Sequence, residues 1–72
     1  MDLLNVFSFN VRKYRKLKGY SQNKLAKLAG LHPTYINYVE LGKRSISLRN
    51  IQKIADALEV DIYKLFLEEK NN

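Results

Sequence analysis

The side chains that could carry out chemistry are few in this chain. It has 72 residues, no cysteine, one histidine and seven carboxylates, so thiolate nucleophiles, Fe–S clusters and cysteine-based zinc sites are excluded. No cluster of carboxylates surrounds His32 in sequence to complete a metal site. Glu40 and Asp56 could be taken for paired catalytic acids, but no nucleophile or glycine-rich cradle lies near them in sequence. We therefore expect no enzyme, no metal site and no cofactor.

Apolar residues at helical spacing on either side of Gly30 predict two short helices joined by a tight turn between residues 21 and 41. They are Leu25, Leu28 and Ala29 before the glycine and Ile36 and Val39 after it. Because glycine has no Cβ, Gly30 can take a positive φ, end the first of these helices in a left-handed cap and turn the chain sharply. A helix-turn-helix of this kind places its second helix in the major groove of DNA.

The second helix of this pair is predicted over residues 33–41. Proline suits the first helical position because its missing N–H would have no partner there, so His32 is expected to be a cap or phosphate-side residue rather than a metal ligand. The side chains that then point outward or sideways are candidates for contact with base edges. They are Pro33, Thr34, Tyr35, Asn37 and Tyr38. The two tyrosines lie three residues apart on one face, so one of them could instead pack against the core.

Positive charge is concentrated in the same part of the chain. The net charge is +6, and residues 1–49 hold ten lysines and arginines against two carboxylates, whereas residues 50–72 hold three lysines against five carboxylates. Phosphate binding requires such a concentration, although a merely solvated basic surface is the alternative. The residues expected nearest a DNA backbone are Ser21, which is also a natural N-cap, Lys24, His32, and Lys43, Arg44 and Ser45 in the loop after the second helix.

The rest of the chain also has helical periodicity, which predicts an all-α domain of five helices over residues 1–72. The helices are expected at residues 5–18, 22–29, 33–41, 48–58 and 62–68. No stretch approaches 18 apolar residues, and the N-terminus has no basic region followed by an apolar run, so we expect no membrane span and no signal peptide.

The first, fourth and last predicted helices have expected core residues, from the apolar periodicity, and expected N-caps, from residue type. The expected core positions are Phe7, Val11 and Tyr14 in the first helix, Leu48, Ile51, Ile54, Ala55 and Leu58 in the fourth, and Ile62 with Leu65 in the last. The expected N-caps are Asn5 or Ser8 for the first helix, Ser47 for the fourth and Asp61 for the last.

Taken together, these motifs resemble those of the Cro/CI-type family of helix-turn-helix regulators, also called the xenobiotic-response-element family. The matching residues are Arg12 and Arg15, residues 19–22 (GYSQ), Leu25-Ala26, Gly30-Leu31, Ile36, residues 40–44 (ELGKR) and residues 48–60 (LRNIQKIADALEV). The match covers about residues 7–67. Within the family, residues 31–36 (LHPTYI) and 45–48 (SISL) are similar to the controller proteins of restriction–modification systems, which often have arginine where this chain has Pro33.

The resemblance implies a lambda-repressor-like DNA-binding domain and assigns roles by matching position. Gln22 would bond a phosphate, and Thr34 and Asn37 would face base edges. Tyr35 would approach the backbone or a thymine methyl group, and Arg44 would reach a phosphate or the flanking minor groove.

Two further residues match a structural pair of the family. Arg15 on the first helix and Glu40 at the end of the third would tie these two helices together. The resemblance therefore implies an ion pair there, not a contact with DNA.

The C-terminal segment is expected to form a two-fold homodimer. Ile62 with Leu65 would close the small core, which leaves Tyr63, Phe66 and Leu67 as large groups on the surface. These three residues and Ile62 are the expected interface. The alternative is a monomer in which Phe66 folds back into the core.

The sequence thus predicts a sequence-specific, double-stranded DNA-binding regulator of transcription that acts as a homodimer on a near-palindromic operator. The resemblance suggests the controller of a restriction–modification system, and the lack of cysteine suits a reducing cytosol. Alternatives are a phage or plasmid-type repressor, an antitoxin-like module that binds protein through the same fold, or a basic surface that binds membrane. No small-molecule ligand is expected.

Overall fold

The structure is a computed structural model that describes residues 2–68. In this range it has four α-helices and a final 3₁₀ helix, with no strand. The elements are α1 (Leu3–Leu17), α2 (Gln22–Ala29), α3 (Pro33–Glu40), α4 (Leu48–Leu58) and the 3₁₀ helix (Ile62–Phe66). The all-α architecture, with α2 and α3 as the helix-turn-helix pair, is confirmed.

The prediction of a fifth α-helix over residues 62–68 is wrong. The segment is a five-residue 3₁₀ helix, and its N-terminal residue Asp61 makes no side-chain cap hydrogen bond. Leu67 is already extended, with φ −84° and ψ 121°. A segment this short gains little from helix propagation, so tertiary packing decides its conformation.

The first helix begins two residues earlier than predicted. The Asp2 carboxylate accepts hydrogen bonds from the backbone N–H of Leu4 at 3.0 Å and of Asn5, so Asp2 is the N-cap. Asn5 and Ser8, the predicted caps, lie inside the helix. Ser8 Oγ instead donates to the carbonyl oxygen of Leu4 at 2.8 Å.

One apolar core is shared by all five elements. It consists of Phe7, Val11, Leu25, Ala26, Ala29, Ile36, Val39, Ile51, Ile54, Ala55, Leu58 and Leu65, with Tyr14 partly buried against it. Two predicted core residues are exposed, Leu48 by 85% and Ile62 by 44%, and Leu28, one of the apolar residues at helical spacing in α2, is exposed by 47%. Leu28 lies at the margin of the buried face of α2, and Leu48 opens α4 one turn before the first buried residue.

The end of the core is closed by aromatic stacking. The ring of Phe66 lies 5.2 Å from that of Phe7, measured between centroids, and Phe66 is only partly exposed. Because Phe66 covers the core beside Leu65, Ile62 remains outside. The expected placement of Ile62 in the core is therefore wrong, and Phe66 packs on the core as in the alternative that the sequence left open.

A buried amide holds α1 to the C-terminal segment. Asn10 is 2% exposed, and its Nδ2 donates to the carbonyl oxygens of Leu65 at 3.0 Å and Leu67 at 2.9 Å. These carbonyls belong to the last turn and the C-cap of the 3₁₀ helix, where backbone acceptors lack helical partners. Asn10 therefore satisfies two acceptors with its two N–H groups.

No helix within residues 2–68 has the length and apolar character needed to cross a membrane.

Replacing Asn10 with aspartate should lower the free energy of unfolding by about 3 kcal/mol, because a buried carboxylate without N–H groups would face two carbonyl oxygens. Urea unfolding followed by circular dichroism measures the change. Asn23→Asp, the same chemical change at an exposed position, is the control. Equal effects of the two substitutions would contradict the role given to Asn10.

Candidate nucleic-acid interface

The turn between α2 and α3 is built on Gly30, as the sequence predicts. Gly30 has φ 69° and ψ 34°, and its N–H donates to the carbonyl oxygen of Lys27. The N–H of Leu31 donates to the carbonyl oxygen of Ala26 at 2.9 Å. This pair of bonds is a Schellman motif, which requires a left-handed residue at the turn. The motif fixes the direction in which α3 leaves α2.

The N-terminus of α3 is capped by the single histidine. His32 has an extended backbone, and its Nδ1 accepts a hydrogen bond from the N–H of Thr34 at 3.1 Å. This cap uses Nδ1 as an acceptor, which leaves Nε2 as the ring nitrogen that can donate outward. Pro33 occupies the first helical position. The capping role predicted for His32 is confirmed.

The two faces of α3 differ sharply. Ile36 and Val39 are completely buried and hold the helix against the core. Pro33 and Thr34 are exposed, Tyr38 is 38% exposed, and Tyr35 and Asn37 are half-buried. The five predicted base-contact residues therefore divide into an exposed group and a group held partly inside the protein.

A polar network behind α3 joins three helices. Glu40, whose side chain is 3% exposed, accepts from Arg15 at both oxygens: Nε to Oε2 at 2.6 Å and Nη2 to Oε1 at 2.9 Å. Gln22 Nε2 donates to the same Oε1 at 3.1 Å, and Asn37 Nδ2 donates to Gln22 Oε1 at 3.3 Å. Arg15 Nη1 also donates to the carbonyl oxygen of Tyr20. The structure thus forms the ion pair that the resemblance implied.

This network changes the interpretation of Gln22. The resemblance assigned its side chain to a phosphate, but here the side chain links Glu40 to Asn37 inside the protein. One hydrogen of Nε2 remains for an external acceptor. Gln22 is therefore first a connection between helices, and any phosphate contact uses the hydrogen that the network leaves.

Tyr35 is held by a residue that the sequence analysis missed. Asn50, in the first turn of α4, donates from Nδ2 to the Tyr35 hydroxyl oxygen at 3.2 Å. The hydroxyl hydrogen of Tyr35 remains available to an external acceptor. The available signal was weak, since Asn50 was one polar residue in the polar first turn of a helix.

The loop after α3 carries exposed cations and is held against α1. Gly42 has φ 70°, a conformation that disfavours any residue with a Cβ, and a Cβ built on it would lie 2.8 Å from Asn5 Oδ1 of α1. Lys43, Arg44 and Ser45 are exposed. The guanidinium carbon of Arg44 lies 5.9 Å from the ring centroid of Tyr38, within the range of a cation–π contact.

The start of α2 adds further exposed groups. Ser21 Oγ accepts from the N–H of Lys24 at 3.0 Å, which confirms Ser21 as N-cap. Both side chains are exposed.

Across the part of the chain that the structure describes, no group of three or more His, Asp or Glu side chains could hold a metal ion.

These features together define a helix-turn-helix protein. A family model described as helix-turn-helix matches residues 11–65, and the chain belongs to that family. The buried back of α3, the glycine turn and the capped N-terminus are the parts of the structure that correspond to this class.

Several relatives are regulators by name. The chain is 46% identical to a hypothetical transcription factor of Neisseria meningitidis, over 92% of this chain and 62% of that protein, so it spans less than two thirds of that relative. It is similar to the restriction–modification controller protein C.AhdI from Aeromonas hydrophila, with TM-score 0.85, 44% identity and coverage of 88% and 96%. It is also similar to the controller protein C.Esp1396I, described as a tetramer in complex with its natural 35-base-pair operator, with TM-score 0.84, 33% identity and coverage of 92% and 87%.

Replacing Glu40 with glutamine should lower the free energy of unfolding by about 3 kcal/mol, because it leaves the Arg15 guanidinium largely buried without a counter-charge. Thermal or urea unfolding of Glu40→Gln, Arg15→Gln and the double variant gives the coupling energy between the two positions. Additive effects would show that the pair does not stabilise the fold as a unit.

The exposed pair of Lys18 and Glu59 is the control. Their hydrogen bond lowers the pKa of Glu59 and raises the pKa of Lys18. Any stability from this pair is present above the ordinary pKa of the carboxyl and is lost as the pH falls through the lowered pKa. At the alkaline end it is lost as the pH rises through the raised pKa of Lys18. Glu59→Gln should have a smaller effect than Glu40→Gln, and salt should reduce it further.

Proposed function

We propose that this chain is a transcriptional regulator that binds a specific double-stranded DNA sequence through α3. The observation that carries the proposal is the two-faced character of that helix. Ile36 and Val39 are fully buried, while Thr34 and Asn37 present hydroxyl and amide groups near its N-terminal half. Such groups at the start of a recognition helix reach base edges in the major groove.

The surroundings of α3 support the same function. Lys24 at the start of α2 and Lys43 and Arg44 after α3 are exposed cations that flank the reading helix. Cations in such positions neutralise phosphates and release counterions, which gives affinity without sequence preference. Ser21, His32 and Ser45 are exposed hydrogen-bonding groups on the same elements and complete the proposed backbone contacts.

The particular role proposed is the control of a restriction–modification system. The support comes from the similarity to the controller proteins C.AhdI and C.Esp1396I over most of this chain. Pro33 stands at the first position of α3, where it can make only apolar contacts with bases. This chain therefore depends on Thr34, Asn37 and the tyrosines for hydrogen bonds to DNA, and its operator should differ from those read by an arginine at this position.

The distinction between reading residues and backbone residues can be measured. On a site selected from a random duplex pool, Thr34→Ala and Asn37→Ala should each lose about 1 to 3 kcal/mol of binding free energy, and little on random DNA. Fluorescence anisotropy with both duplexes gives these values. Equal losses on the selected and the random duplex would contradict α3 as the reading helix.

The same titrations, repeated over a range of salt concentration, test the cations. Lys43→Ala and Arg44→Ala should weaken binding to both duplexes, and each should reduce the slope of log K against log salt by about 1, because one phosphate is no longer neutralised. Lys53→Ala, an exposed lysine in α4, is the control. A slope unchanged by the loop substitutions would show that Lys43 and Arg44 do not bind phosphates.

We further propose a two-fold homodimer formed by the C-terminal segment. Tyr63 is 59% exposed, Leu67 55% and Ile62 44%, so three large side chains share the surface of a five-residue element and its end. Phe66 contributes the outer edge of a ring that packs on Phe7. A two-fold dimer would present two copies of α3 to successive major grooves, with half-site centres about 10 to 11 bp apart.

Sedimentation equilibrium tests the dimer. The expected mass is twice the 8.4 kDa of one chain, and Tyr63→Asp or Leu67→Asp should return it to that of one chain by placing a charge in the interface. Leu17→Asp, at an exposed leucine of α1, is the control. Phe66→Asp is unsuitable because Phe66 also packs in the core. A single-chain mass for the unmodified protein would contradict the dimer and the palindrome.

A further inference from the structure

The orientation of an amide side chain is determined by its partners, because its oxygen and nitrogen ends have the same shape. In the network behind α3, the starting point is the Glu40 carboxylate, which only accepts hydrogen bonds. Gln22 must therefore present Nε2 to it, as it does at 3.1 Å. Oε1 of Gln22 then faces Asn37, and Asn37 must present Nδ2 to that oxygen, at 3.3 Å.

The bond to Gln22 also fixes which groups of the Asn37 amide remain unpaired. One hydrogen of Nδ2 is used by Gln22, which leaves Oδ1 as an acceptor and the second Nδ2 hydrogen as a donor. Within residues 2–68, the side chain of Asn37 makes no other hydrogen bond, and it is half-buried on α3. Asn37 thus offers an acceptor and a donor side by side, in an orientation that a buried charge determines.

We infer that Asn37 reads an adenine, and that Gln22 and Glu40 are positioning residues that set this preference. Adenine presents an N6 amino donor beside the N7 acceptor in the major groove, which matches Oδ1 and the free Nδ2 hydrogen of Asn37. Guanine presents two acceptors, N7 and O6, so Oδ1 would face another oxygen. This inference rests on the proposed function, because it assumes that α3 lies in the major groove.

The network explains why the preference should be strong. A free asparagine could turn over and offer its amino group to guanine. Here a turn would place Asn37 Oδ1 against Gln22 Oε1, and relieving that contact by turning Gln22 would place Oε1 against the Glu40 carboxylate. Glu40 cannot respond, because Arg15 holds both of its oxygens. The orientation of Asn37 is therefore coupled, through Gln22, to the ion pair of Arg15 with Glu40, which lies one turn further along α3.

The test uses the half-site selected from a random duplex pool. Each adenine in it is replaced in turn by 7-deazaadenine, which lacks the N7 acceptor, or by guanine. At one position, 7-deazaadenine should weaken binding by the unmodified protein about tenfold. At that position Asn37→Ala should show no loss with 7-deazaadenine. Asn23→Ala, at an exposed asparagine of α2 outside the network, should keep the full loss.

The positioning role has its own readout, the ratio of affinities for adenine and guanine at this position. Gln22→Met keeps the length of the side chain but removes its donor and acceptor, so Asn37 can turn and the ratio should fall by about tenfold. A missing phosphate contact would weaken both duplexes equally and leave the ratio unchanged. Circular dichroism confirms that each variant is folded before it is used.

The outcomes separate this inference from the proposed function. If no sequence is enriched from the pool, the proposed function fails. If a half-site is enriched but no adenine in it depends on Asn37, the assignment of Asn37 to adenine is overturned. If the adenine depends on Asn37 but Gln22→Met keeps the full ratio, the positioning role of Gln22 is overturned.

Discussion

The rest of this structure depends on the hydrogen bonds and the ion pair that the Glu40 carboxylate accepts. Its side chain is 3% exposed, and a charge removed from water to that extent needs several hydrogen bonds to persist. It also lies in the last turn of α3, where the helix dipole disfavours a negative charge. Arg15 from α1 and Gln22 from α2 supply the compensation. One charge therefore brings three helices to a common point directly behind the helix that faces outward.

Directional hydrogen bonds of this kind fix the helix orientations that apolar packing alone would leave undetermined. The core is made of Leu, Ile, Val, Ala and Phe side chains, and such a core tolerates small rotations of its helices when its volume is kept. The bidentate contact of Arg15 with Glu40 does not tolerate them, because two parallel bonds fix both distance and angle. Asn10 does the same where α1 meets the C-terminal segment, with two carbonyl oxygens of that segment. The long first helix is thus held at two points by polar groups.

The sequence predicted the elements that local chemistry controls. Gly30, Ser21, Ser47 and the pair His32-Pro33 act in turns and caps, whose geometry involves only a few adjacent residues, and they appear where expected. The Asp2 cap of α1 is a local feature that the sequence prediction placed at the wrong residue, but the failures in the C-terminal segment involve long-range packing. Whether Ile62 or Phe66 enters the core depends on Phe7, more than fifty residues away, and no periodicity within a five-residue segment records that contact. Asp61 is a residue type that often caps helices, but the 3₁₀ helix after it has only five residues and Asp61 makes no side-chain cap hydrogen bond.

In the candidate site too, the contacts that the sequence did not predict are those between residues on different elements. The resemblance implied the contact of Arg15 with Glu40, but the sequence did not connect Gln22 and Asn37 to it, because the connection exists only when α2 and α3 meet. Asn10 and Asn50 were missed for the same reason. An asparagine in a helix is ordinarily an exposed residue of modest propensity, and only the fold shows that the amide of Asn10 is buried between two carbonyl oxygens and that Asn50 holds a tyrosine hydroxyl.

The side chains around α3 differ in exposure, and this difference corresponds to two proposed roles in DNA binding, affinity and sequence specificity. The cations around α3 are on exposed and flexible side chains, which suits phosphates that present the same charge at every step of the duplex. The amide of Asn37 is half-buried and bonded. In the proposed complex with DNA it would therefore lose little conformational entropy on meeting a base, and it would reject bases with the wrong arrangement of donors and acceptors. A side chain that adapts to any base would add affinity without discrimination. With α3 in the major groove, as proposed, the buried Glu40 carboxylate would prevent that adaptation at Asn37, and a charge behind the reading surface would then contribute to the recognition of sequence.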